Sequence, residues 1–132
     1  MTAREKKVRQ EDKSAASGYF KKASDNYDQM LAAFHAFNWN AAATLAVQCI
    51  IFSADAICVY EKGARSISQD HLDICDLVKQ LPVKGADEKA KQIRKVKNMV
   101  QYESRSVRKS DADDMVKVTT RVYQWVREKM EK

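Results

Sequence analysis

Proline occurs once in the 132 residues and glycine three times, so the chain has few residues that turn or end a helix. No window alternates apolar and polar positions for long, and there is no internal repeat or low-complexity segment. An all-α chain is what remains. Cysteine is scarce as well: Cys49, Cys58 and Cys75 form no C-x-x-C pair, and two of them sit in an apolar stretch where a free thiol acts as a small hydrophobe. That usage suits a reducing cytoplasm, the expected location. A chain of this length buries most of the surface its unfolded form exposes, so it needs no disulfide or metal to hold it. The opening run Thr2–Lys13 is basic but lacks an apolar segment behind it, so no secretory signal is visible. Residues 1–16 are expected to form a polar leader without fixed order, ahead of a single domain over 17–132.

Five helical patterns follow one another. Phe20, Ala23, Tyr27, Met30, Leu31 and Phe34 recur at helical spacing after Gly18, predicting a helix over about 18–37. Asn38 or Asn40 caps the next, about 39–62, and Gly63 stands where a left-handed terminating residue is wanted. Ser68 caps a third, with the stripe Ile74, Cys75, Val78 and Leu81 ahead of Pro82. A fourth, about 86–103, carries Ile93, Val96 and Val100. Ser110 and Asp113 have the spacing of a capping box for a fifth, striped by Met115, Val118, Val122, Trp125 and Val126. Short connections between such helices give an antiparallel up-and-down bundle.

The stretch Trp39–Tyr60 is long enough to cross a bilayer, and composition alone leaves a membrane span open. Asp55 would cost up to about 2.5–3.5 kcal/mol near a bilayer centre, and Gln48 and Asn40 add to that. At least three amphipathic neighbours also need an apolar partner, and only this helix is apolar all round. It is therefore read as the core of a soluble bundle, with no membrane partner. A carboxylate on a core helix must be paired, hydrogen-bonded or neutral. Asp55 shares a helix face with Gln48, seven residues back, and three readings fit: a pairing with a base from another helix, an exposed edge, or one wall of a polar groove.

Charge is localised. Residues 84–109 hold nine basic and three acidic side chains, a surplus of six that equals the net charge of the whole chain. A focus of that kind attracts RNA, a nucleotide or an acidic protein, although a solvated helix face is the commoner cause of a basic run. Apart from Tyr102, no aromatic residue interleaves it as a platform for bases.

The segments Ala46–Cys58, Lys62–His71, Lys95–Ser104 and Tyr123–Val126, in that order, resemble a small prokaryotic HEPN protein, and the likeness covers about residues 15–131. The resemblance implies a helical bundle around a long central helix pair, commonly dimeric, with a nucleotide- or RNA-related role. Many HEPN proteins are ribonuclease toxins or partners of a minimal nucleotidyltransferase. Their ribonuclease motif is Arg, four residues, then His, usually with Asn after the Arg. Laid on Lys97–Ser104, only Asn98 matches: Lys97 takes the place of the Arg, Tyr102 that of the His, and Ser104 that of a tyrosine modified in some relatives. A phenol with pKa about 10 does not replace imidazole as a proton carrier near neutral pH. Lysine still neutralises a phosphate, without the fork of Arg. Binding is expected to persist and cleavage to weaken or vanish.

The expected groove gathers Arg94, Lys97, Asn98, Tyr102 and Arg105, with Asp55 beside Arg94 or Lys97, since relatives often place an acidic side chain of the second helix near the motif. His71 and Cys75 could supply half of a metal site, but no second half accompanies them, so neither a metal nor a cofactor is expected. His35 receives no role. Three function classes follow: a homodimeric module that binds RNA or a nucleotide without turnover; a divergent, metal-independent ribonuclease using Lys97 for charge; and a toxin–antitoxin-like partner of a nucleotidyltransferase. The dimer is expected because the first two helices offer more apolar surface than the other three can cover.

Overall fold

A computed structural model describes residues 8–67, 71–99 and 106–131. The order is a short strand β1 (Val8–Gln10), a one-turn 3-10 helix (Lys13–Ala15), α1 (Ala16–His35), α2 (Trp39–Lys62), strand β2 (Ala64–Ser66), α3 (His71–Lys79), α4 (Ala86–Met99) and α5 (Lys109–Met130). The all-α bundle read from the sequence is the fold, with one small addition. Residues 8–10 of the leader pair antiparallel with the three residues after α2, Arg9 opposite Arg65.

The central helix α2 packs against α1 along its length and against α5, with α3 and α4 closing the remaining side. Alanines 42, 43, 46, 54 and 56 are buried along it, and small side chains let neighbouring helices approach closely. Two thirds of its most apolar window is buried in protein (67%). Ile50, Ile57 and Cys58 meet Met30 of α1, Val78 of α3, Ile93 and Val96 of α4, and Met115, Val122 and Val126 of α5 in one continuous core. The stripes read in α3 and α5 are all buried; in α1, Ala23 and Met30 are buried and the larger side chains half-buried. A second cluster ties α1 to α5: Tyr123 stacks on Tyr27 at 4.3 Å and Phe20 at 5.3 Å, while its hydroxyl and Ser24 Oγ lie 2.8 Å apart.

The helix ends mostly follow the local chemistry. Asn38 caps α2, its side-chain oxygen accepting the Ala41 N–H at 3.4 Å. Asn40, the other candidate, instead accepts the Val107 N–H at 2.8 Å and ties the segment before α5 to the first turn of α2. Gly63 ends α2 in the left-handed conformation, φ 65, as expected. The start of α5 departs from expectation. Its N-cap is Arg108, whose N–H donates to the Asp111 carboxylate at 3.4 Å, so the cap lies two residues before Ser110. The proposed Ser68 cap, and residues 100–103 of the expected fourth helix, lie outside the described residues.

Two connections carry positive φ for different reasons. Gly85, before α4, has φ 91, and a Cβ there would stand 3.1 Å from Trp125 Nε1, whose N–H donates to the Lys84 carbonyl at 2.9 Å. Gly85→Ala is expected to cost about 1–2 kcal/mol through backbone strain and displacement of the indole, read as a lower urea midpoint with an unchanged slope. In the α1–α2 turn the residue with positive φ is Phe37, at φ 62, a conformation that costs a side chain with Cβ about 1–2 kcal/mol.

Candidate functional site

Over its last three turns α2 is buried on every side from Ser53 to Val59, and Asp55 falls within that run, 5% exposed. Gln48, on the same helical face, is exposed. What covers Asp55 lies beyond Gly63: the left-handed turn sends the chain back along α2 as β2, and Arg65 then reaches inward. Its Nη1 is 4.0 Å from Asp55 Oδ2 and its Nε 2.6 Å from Glu11 Oε2. The Tyr19 hydroxyl donates to the same Glu11 oxygen, and the guanidinium lies 5.1 Å from the Tyr19 ring centroid. Lys97 of α4, 7% exposed, provides the second positive charge acting on Asp55.

Burial dominates the electrostatics. It pushes the Asp55 carboxyl up to about 7, although Arg65 and then Lys97 pull it back down. Glu11 moves the other way: the Tyr19 hydrogen bond, followed by the Arg65 guanidinium, holds it below the usual carboxylate range. Burial and the bond to Glu11 raise Tyr19, so its phenol remains a donor. The cluster is one arginine shared by two carboxylates, one ionised near the surface and one poised near neutrality inside. Burial pushes the Cys49 and Cys58 thiols up to about 12, which leaves them unreactive packing groups.

The outer side of α4 differs. Ile93, Val96 and Lys97 turn inward, while Lys91, Arg94, Lys95 and Asn98 are exposed. Arg94 and Lys91 edge a groove of about 190 Å³ between α3 and α4, with Cys75 at its floor and Asp87 on its rim. Asp87 lies 3.6 Å from Lys91 and 4.0 Å from Lys79, exposed pairs that contribute little. Burial raises the Cys75 thiol, offset in part by its hydrogen bond with Arg94.

Of the expected site residues, the structure brings Asp55 and Lys97 together and separates both from Arg94 and Asn98, which face solvent. Lys97 therefore does not line the exposed groove with Arg94. Tyr102, Ser104 and Arg105 lie outside the described residues. Asp55 has a basic partner, as one reading required, but the one at 4.0 Å comes from β2 rather than from another helix. Among the described residues no group of His, Cys, Asp and Glu could hold a metal ion. Sequence reasoning missed Glu11, Tyr19 and Arg65. The available signal was Gly63, since a left-handed turn there folds the next basic residue back over the helix it ends.

A central apolar helix with one enclosed carboxylate, a cation from α4 beside it and four shorter or amphipathic helices around it define a small helical-bundle domain. The HEPN domain family matches residues 16–129, from the first residue of α1 to the last turn of α5, and the chain belongs to that family. Its role is thereby nucleotide- or RNA-related in general terms. No curated protein and no solved structure matches the chain.

Proposed function

We propose that this HEPN protein binds RNA on the exposed cationic side of α4 and does not cleave it. What supports this most is the division across α4: Lys97, in the motif's arginine position, is 7% exposed and acts on Asp55, whereas Lys91, Arg94, Lys95 and Asn98 face solvent. Cationic side chains on an open face neutralise phosphates and release counterions, which is the sequence-independent part of RNA binding. Cleavage needs in addition a proton carrier near neutral pH in contact with the substrate. Asp55 titrates in that range, but at 5% exposure it does not reach a ribose hydroxyl.

A titration with a ten-nucleotide single-stranded RNA over a salt series tests this. Affinity is expected to fall steeply with salt, and replacing Lys91, Arg94 and Lys95 with Gln should reduce the log–log slope by about 2, since each single-strand phosphate contact contributes about 0.7. An unchanged slope in the triple variant would place the contact elsewhere. In a metal-free cleavage assay the wild type and Asp55→Asn should give the same background. Turnover abolished by Asp55→Asn would make the carboxyl an acid or base and overturn the non-cleaving reading.

A further inference from the structure

The α1–α2 turn carries the most exposed large apolar side chain described, Phe37, at 75% exposure and φ 62. Glycine or asparagine would relieve the backbone there, and a phenylalanine gains nothing from burial that would offset the strain. The ring is not isolated. Trp39, half-buried, meets Phe37 edge-on at 5.8 Å and Phe34 at 5.2 Å, and His35 completes the run. Packing of Trp39 against Phe34 fixes one aromatic surface, and Phe37 stands beside it in solvent.

The fold also brings charge to this end. Asn40, next to Trp39, holds the Val107 N–H at 2.8 Å, which sets the exposed Arg108 and Lys109 at the first turn of α2. In sequence these cations are some seventy residues from the aromatic run; in the structure a side chain–backbone hydrogen bond joins the two segments. Aromatic faces beside cations are what unpaired nucleobases and their phosphates require. Asp55, which lies close enough to Lys97 to feel its charge, is sixteen residues along α2 from Trp39, about 24 Å at 1.5 Å per residue.

We infer that the α1–α2 turn is a base-stacking site, in which Phe37 and Trp39 take unpaired bases of a single-stranded RNA whose phosphates meet Arg108 and Lys109. This rests on the RNA-binding reading and adds to it: the turn favours bases, whereas the α4 side supplies charge alone. The strained φ of Phe37 is then the local cost of holding an aromatic ring where a base reaches it.

Phe37→Gly separates this role from a structural one, because the two predict opposite signs. The variant should melt a few degrees higher, through relief of the positive φ. It should also bind a ten-nucleotide oligoadenylate about tenfold more weakly, the scale of one lost stacking contact, with inorganic polyphosphate binding unchanged. Tryptophan emission should fall on adding oligoadenylate, and Trp39→Phe should remove that response; the other tryptophan, Trp125, is buried against the Lys84 carbonyl. Equal oligoadenylate affinity in the wild type and Phe37→Gly would overturn the stacking site while leaving RNA binding on α4 intact. No oligoadenylate binding by the wild type would overturn both readings. A dimer by light scattering that Phe37→Gly converts to monomer, with RNA affinity unchanged, would assign the turn to a second copy of this chain and end the inference.

Discussion

Asp55→Asn is expected to stabilise the protein by about 3–5 kcal/mol at pH 8 and to leave it unchanged below pH 4. The carboxyl titrates near 3.8 in an unfolded chain and at about 7 in the fold, and each pH unit of difference is worth about 1.4 kcal/mol. Between those values the unfolded chain has released the proton and the native state still holds it. Wild-type stability therefore falls as pH rises from about 4 to about 7 and is flat above. The amide copies the neutral form and removes that slope. Urea unfolding of both proteins at half-unit steps from pH 4 to 8 measures the divergence directly. A variant less stable than wild type at pH 8 would mean that attraction from Arg65 and Lys97 exceeds the penalty of burial.

Ile57→Ala should cost about 3–4 kcal/mol and lower the melting temperature by roughly 10–15 °C, because the side chain is fully buried in the main core and its loss leaves a cavity. The matched control is Ile67→Ala. Ile67 is 50% exposed just past β2, and its truncation should fall within about 0.5 kcal/mol of wild type. The contrast bears on what surrounds α2. If protein encloses the helix, as its packing against α1, α3, α4 and α5 has it, the penalty appears in cooperative unfolding in plain buffer. Equal, small effects at both positions would mean that the middle of α2 is not under the packing constraint described.

The helices were legible because periodicity is a local signal that packing reinforces. Residues such as Ile74, Val78, Val122 and Val126 are spaced for one face and lie on one face. Gly63 and Asn38 were legible for the same reason, since each satisfies a backbone group a few residues away. The start of α5 was misplaced because Asp111 and Asp113 offer similar carboxylates two positions apart, and the frame adopted is the one next to the long-range tie from Asn40 to Val107, which local sequence does not display. The candidate site was read less well. Lys97, Arg94 and Asn98 occur within five residues, and summed charge does not say which of them turns inward; the apolar neighbours Ile93 and Val96 decide that. Glu11 and Arg65 meet across fifty-four positions through a three-residue strand too short to leave a periodic trace. The aromatic turn was hidden likewise: Phe37 and Trp39 were visible as residues, but Arg108 is their neighbour only in three dimensions.

The family segment begins at residue 16, whereas the carboxylate that engages the Arg65 Nε sits at residue 11. Boundaries drawn at the edge of the family segment would thus discard a component of the interior electrostatics. Arg65 would turn wholly toward Asp55, favour its ionised form, and shift the proton equilibrium of a residue thirty-nine positions from the cut.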